Sequence, residues 1–222
     1  MAPPLGSPYT LGQAQGHISQ GPLGKRITWV QQSPPDYLSS LPSSPGPAIE
    51  IKTFDATVLA HSLWYFASTS LILSTFQAVK QHSKRLHLAE WSWLATHPSA
   101  QPHVLAALAQ AALECRKRSG RSNSNIRTAL GPKRLTELAL AAGWRLESET
   151  RVQCVDGLLD GQWEVSACLS PSFERQVEEQ VGDERERAAI LASRDACEAS
   201  LEGVQGGRKG VKAMDVWVAS FV

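Results

Sequence analysis

The 222-residue chain has no run of ~18–20 consecutive apolar residues, the length that spanning a bilayer requires. Its first residues show no basic cluster followed by an apolar stretch, so they do not read as a secretory signal. Short motifs that carry a known chemistry are also missing: there is no G-x-G-x-x-G, G-x-x-x-x-G-K-[ST], H-E-x-x-H or G-x-S-x-G. The four cysteines, Cys115, Cys154, Cys168 and Cys197, form no C-x-x-C pair, which argues against both a zinc site and a disulfide framework. Reduced, buried thiols in a cytoplasmic protein are expected. An excess of one charge is lacking too: 22 Lys and Arg stand against 21 Asp and Glu, so overall charge does not advertise a nucleic-acid or membrane partner.

What is present is enough apolar material for a core, 42% of residues, with an uneven spread of charge. Residues 1–160 carry 15 basic and 10 acidic side chains, and residues 161–222 carry 7 and 11. Nine of the 13 prolines fall in the first 47 residues, and residues 1–24 read as a Pro/Gly-rich lead-in holding one short helix. In that helix Leu11, Ala14 and Ile18 recur at helical spacing behind Thr10 as N-cap. Arg26–Val30, rich in β-branched and aromatic types, reads as a strand ended by Pro34-Pro35. The unbroken apolar run Ala56–Ala60 reads as a strand buried on both faces, as in a parallel sheet. A helix over Ser68–Lys80 and a strand over Arg85–Glu90 complete a βαβ unit. Helices follow over Gln101–Lys117 and from Pro132 to Ala142, then a strand over Trp144–Val152 with one wet face. Residues 160–210 read as an acidic helical segment ending in a flexible glycine-rich break, and Met214–Phe221 alternates as a terminal strand.

Ligands of open α/β sheets bind beyond the carboxyl ends of the strands. The strand ending at Ala60 runs into His61-Ser-Leu-Trp64-Tyr65-Phe66, and three adjacent aromatics there suit stacking on a flat ligand or closing over one. The competing reading is a hydrophobic hinge that packs the next helix on the sheet. The second strand ends at the same rim in Glu90-Trp91-Ser92-Trp93, where Glu90 suits orienting a substrate, accepting a proton or forming an ion pair. The remaining histidines show no metal spacing, so no metal is expected. Basic residues at 80, 84, 85, 116–118, 121 and 127 are not interleaved with aromatics and read as solvated surface rather than a nucleic-acid face.

Phe54-Asp-Ala-Thr-Val-Leu-Ala-His-Ser-Leu-Trp-Tyr-Phe66 resembles the fourth-strand motif of class I S-adenosylmethionine-dependent methyltransferases. More narrowly, the chain is similar to a group of fungal methyltransferase-domain proteins. The stretches that carry this are Leu11-Gly-Gln-Ala-Gln15, Ala89-Glu-Trp91, Pro102–Leu108, Trp163-Glu-Val165, Asp183-Glu-Arg185 and Met214–Ala219, in order along most of the chain. The resemblance implies an α/β fold: a Rossmann-like doubly wound sheet with strand order 3-2-1-4-5-7-6. In it Arg26–Val30, Thr57–Ala60, Leu86–Glu90 and Trp144–Val152 are the third to sixth strands, and Met214–Phe221 the antiparallel seventh. It implies S-adenosylmethionine as cofactor, with Gln32, Ser33, Ala60, His61 and Trp64 on the cofactor side and Tyr65, Phe66, Glu90 and Trp91 on the substrate side. No catalytic residue is assigned.

The Gly-rich turn after the family's first strand and the acid after its second have no counterpart here, so the expectation is a single partial domain, N-terminally truncated, over 1–222. The helices within 160–210 would be an insertion before the last strand. The function implied is methyl transfer to an unidentified small molecule, impaired by the missing strands, with self-association through the exposed edge of the fourth strand. The alternative is a non-catalytic interaction protein, or a truncated gene product that binds no cofactor.

Overall fold

The computed structural model describes residues 10–41, 54–117, 122, 124–154 and 156–222. Thr10 caps the first helix, α1 (Leu11–Ser19), in a reciprocal capping box with Gln13. Ser33 caps a short α2 (Pro34–Ser39) that opens on Pro34 and Pro35, where the missing N–H donors are not needed. Between them lies the first departure from the sequence reading. Gly24–Arg26 is a 3₁₀ turn, and the following residues run extended without joining the sheet. β-Branched residues favour an extended backbone, but a strand also needs a partner for its ladder, and Arg26–Val30 has none among the described residues. Trp29 instead donates its indole N–H to Ser19 Oγ at 2.8 Å, which ties the segment to α1.

Among the described residues the sheet has four strands, β1 (Thr57–Ala60), β2 (Leu86–Trp91), β3 (Leu146–Val152) and β4 (Val216–Phe221), in the order β1-β2-β4-β3. β1 runs parallel to β2, with Thr57 opposite Leu86 and Ala60 opposite Ala89. β4 is antiparallel to both β2 and β3. This is the 4-5-7-6 portion of the order that the resemblance implied, antiparallel last strand included.

The crossover from β1 to β2 is α3 (Thr69–His82), capped by Ser68 and burying Ile72, Thr75, Phe76 and Val79 on one stripe. That stripe packs with α5 (Pro132–Ala141) on the face of the sheet that carries Leu86, Leu88, Trp217, Ala219 and Phe221, forming the main core. Trp144 closes it by donating its indole N–H to the Phe76 carbonyl at 3.0 Å.

Toward the other face lies α4 (Gln101–Glu114), whose alanines permit close packing on two sides. Val104 and Ala107 meet Trp91 and Met214, while Ala106, Ala109 and Leu113 meet a layer of three helices. These are α6 (Asp160–Cys168), α7 (Pro171–Gln180) and α8 (Glu184–Ser200). The acidic segment therefore has a buried side, made by Val165, Phe173, Val177, Val181, Ile190 and Cys197. The glycine-rich stretch after α8 is a pair of 3₁₀ turns over Leu201–Gly203 and Gly207–Gly210.

Two strands differ from expectation in burial. β1 is an edge strand with Val58 64% exposed, not one buried on both faces. An apolar run records only that no polar residue interrupts it, and β1 has β2 as its sole strand neighbour among the described residues. β3, at the opposite edge, is exposed along nearly its whole length rather than on one face. No helix among the described residues is long and apolar enough to cross a membrane.

Candidate functional site

β1 and β2 end side by side, so the chain leaving each is delivered to one rim of the sheet. The turn after β1 begins at His61, whose N–H donates to the Ala89 carbonyl at 2.8 Å and whose φ is 45°. Left-handed backbone at a residue other than glycine costs about 1–3 kcal/mol and persists where its surroundings impose it. Here the imposing group is Glu90. Its side chain is 1% exposed, and its Oε2 accepts from the Leu63 N–H at 3.0 Å while Oε1 accepts from the Trp91 N–H at 3.0 Å. One buried carboxylate thus ties the two strand ends together, with two N–H donors compensating for its burial.

The His61 ring lies 4.2 Å from that of Trp91, and its Nδ1 is 3.6 Å from Glu90 Oε1. That is longer than a hydrogen bond, and the buried Nδ1 has no hydrogen-bond partner among the described residues. Ser62 Oγ is in the same condition. Trp91 also meets His103 of α4 edge-on at 5.0 Å. His103 accepts from the Met214 N–H through Nδ1 at 2.9 Å, and burial, with a smaller contribution from His61, pushes its pKa down to about 3. Its imidazole is neutral at any ordinary pH.

The aromatic triplet is divided in its duties. Trp64 is buried, donates its indole N–H to the Leu130 carbonyl at 3.0 Å and stacks on Trp93 at 4.6 Å. Its own carbonyl accepts from the N–H groups of Arg127 and Thr128, so the 126–130 segment is strapped to the turn. Trp64 is therefore mainly an anchor, which is the hinge reading of this motif. The Phe66 carbonyl accepts from Thr128 Oγ1 at 2.7 Å, and its side chain packs at the margin of the main core. Tyr65 alone stays open, 51% exposed. Partial burial raises its phenol pKa, and the charges of Glu164, Asp160 and Glu90 act the same way.

Asp160 and Glu164 are the residues that sequence reasoning missed. They sit four apart on α6, a spacing that places both on one helix face, but nothing local said which neighbour that face would meet. Glu164 is raised by burial and accepts from Gln110 Nε2 at 2.7 Å. His103 was weighed only as a metal ligand, and its position behind Trp91 comes from tertiary packing.

Of the nine site residues expected, Ala60, His61, Trp64, Tyr65, Phe66, Glu90 and Trp91 converge on this rim. Gln32 and Ser33 do not join them. Gln32 is exposed, and Ser33 accepts from the Asp36 N–H and donates to Asp36 Oδ2 at 2.6 Å, its hydroxyl engaged in capping α2. No hydrogen bond or ion pair among the described residues links either one to the His61–Glu90 cluster. No group of three or more candidate metal ligands occurs among the described residues.

A parallel pair crossed by a helix, extended by an antiparallel last strand and read at its carboxyl rim, defines a class I methyltransferase-type fold. Known proteins agree with that class. The chain is similar to methyltransferases phomM' and phomM of Diaporthe leptostromiformis, 28% and 29% identical over 243 aligned positions that cover 99% of this chain. It spans 63% of the length of each of these curated relatives. Among solved structures it is similar to a cyclopropane-fatty-acyl-phospholipid synthase-like protein from Lactobacillus casei ATCC 334. That structure is 27% identical, has a TM-score of 0.75, and is matched over 100% of this chain and 72% of its own. No protein-family model matches the chain. The resemblance to class I S-adenosylmethionine-dependent methyltransferases is thus carried by sequence and by fold alike.

Proposed function

We infer that this chain transfers a methyl group from S-adenosylmethionine to a small molecule at the rim formed by the ends of β1 and β2. The observation that carries the reading is the convergence of His61, Glu90, Trp91 and Tyr65 at that rim, in a chain whose relatives are named methyltransferases. The cofactor supplies an electrophilic methyl carbon on a cationic sulfur. The residues present suit the methyl-donor end: Glu90 places a carboxylate there, Tyr65 offers an exposed aromatic ring to a cation, and His61 Nδ1 and Ser62 Oγ are buried polar atoms without hydrogen-bond partners among the described residues. The adenine end is less well supplied, because Gln32 and Ser33, the candidates for it, are turned to solvent and to α2.

In-line displacement at a methyl carbon is accelerated chiefly by positioning and by exclusion of water. Ala60 and His61 would border the cofactor, with Trp64 holding their turn in place. Tyr65, Phe66, Glu90 and Trp91 would frame the acceptor. Calorimetric titration with S-adenosylmethionine tests the reading. Binding in the high-micromolar range is expected, corresponding to about −5 to −6 kcal/mol. Absence of binding at millimolar ligand would overturn the function, and low-micromolar affinity would overturn the expectation that binding is impaired. A second reading, a non-catalytic interaction protein, is favoured by the open edge of β1.

A further inference from the structure

Resting on the methyl-transfer reading, the geometry points to His61 as the group that takes the acceptor's proton, with Glu90 as the residue that positions it and holds its charge. In this step a nitrogen or oxygen lone pair of the acceptor forms the new bond to the methyl carbon. The carbon–sulfur bond breaks with its pair left on sulfur, and the acceptor's N–H or O–H proton passes to Nε2 of His61 and from there to water.

Three features of the site support this. First, the ring is oriented. Nδ1 is its buried edge, facing Glu90 Oε1 at 3.6 Å, while the side chain as a whole keeps 37% exposure. A proton on Nδ1, the tautomer that Glu90 favours, leaves the Nε2 lone pair available. Catalytic hydrogen bonds are often long before substrate binds, so 3.6 Å fits a pair that tightens on closure. Second, the orientation is enforced: His61 is held at φ 45° and its ring is packed against Trp91.

Third, the charges balance. The reaction starts with a cationic sulfonium and, if His61 takes the proton, ends with a neutral thioether and an imidazolium. One positive charge is present throughout, and the Glu90 carboxylate, fixed by the Leu63 and Trp91 N–H groups, is its counter-charge in both states. Few other groups enter this balance. From α4 His103 faces the same tryptophan, but its pKa of about 3 keeps it uncharged in the neutral range. From α6 Asp160 and Glu164 act on Tyr65, and Arg127 reaches the Tyr65 carbonyl at 3.5 Å.

The consequence is measurable without knowing the acceptor. The assignment needs the proton on Nδ1 and the lone pair on Nε2, and nitrogen-15 NMR of the imidazoles reads that arrangement directly. The neutral His61 ring should be found as the Nδ1–H tautomer. Its signals are identified by their loss in His61→Asn, a residue that tolerates left-handed backbone. Glu90→Gln should weaken the preference for Nδ1–H, whereas Glu90→Asp, which keeps a carboxylate, should retain it. An Nε2–H tautomer in the wild type, or a tautomer indifferent to Glu90→Gln, overturns the assignment while leaving the methyl-transfer reading intact. Failure of both S-adenosylmethionine and S-adenosylhomocysteine to bind in calorimetry overturns that reading, and this assignment with it.

Discussion

A histidine sealed in an interior can be protonated only by desolvating a cation, so burial lowers its pKa and makes acid a denaturant. His103 is such a residue, fully buried, with Nε2 unpartnered among the described residues. Its folded-state pKa of about 3 lies below the ordinary 6.5, so the unfolded chain binds the proton more readily. The stability associated with a neutral His103 is complete above pH 6.5 and is lost as pH falls from there toward 3. The loss is about 1.4 kcal/mol per pH unit, or about 2 kcal/mol at pH 5. Urea denaturation at pH 7 and pH 5 checks this: His103→Asn, whose Oδ1 can still accept from the Met214 N–H, should lose less stability between the two pH values than wild type by about that amount. The placement of His61 and Glu90 at one rim was legible from sequence because each stands at a strand terminus. His103 was not, because what makes it special is a hydrogen bond to a residue 111 positions away.

At the scale of elements, a tight joint lies between α6 and the segment that leads into β4. A Cβ on Gly161 would stand 2.5 Å from the Lys212 carbonyl oxygen and 2.9 Å from its carbon, both backbone atoms that no side-chain rotation can move. Gly161→Ala must therefore push α6 away from residues 211–213, at a cost of about 1–3 kcal/mol as for other overpacked sites. Urea melts should show the loss. Because Glu164 rides on the same helix, the Tyr65 phenol, followed by its ultraviolet titration, should ionise at lower pH than in wild type once that negative charge recedes. Elements with a strong period were readable: α3 from its stripe of Ile72, Phe76 and Val79, and β4 from the alternation of Trp217, Ala219 and Phe221. Arg26–Val30 was misread because a strand is completed by its neighbour, and β propensity does not report whether one is there. For the same reason the run Ala56–Ala60 did not disclose that Val58 lies in solvent.

The whole molecule is asymmetric about its sheet. β3 closes one edge with a polar, charged strand, Leu-Glu-Ser-Glu-Thr-Arg-Val, the composition that discourages pairing. β1 closes the other with Thr-Val-Leu-Ala. Parallel pairing turns the N–H groups of Thr57 and His61 toward β2, where they meet the carbonyls of Arg85 and Ala89. By alternation those of Val58 and Ala60 point outward. Beside them a cavity of about 310 Å³ is lined by apolar side chains of α2, β1 and α3, among them Tyr37, Leu38, Leu59 and Val79. The order of the four strands followed from the resemblance. The open edge of the fourth strand was an expectation of the same reading, and β1 is that strand. An apolar edge with outward donors is a template for another strand, and a second copy of the chain supplies the same edge in reverse, so that two β1 strands can pair antiparallel about a two-fold axis. Sedimentation velocity over a rising concentration series should show a monomer giving way to a dimer. Val58→Lys, which places a charge on the exposed face while leaving the β1–β2 ladder untouched, should hold the protein monomeric. A wild-type monomer throughout, or a dimer that survives Val58→Lys, would show that this edge is not where the molecule associates.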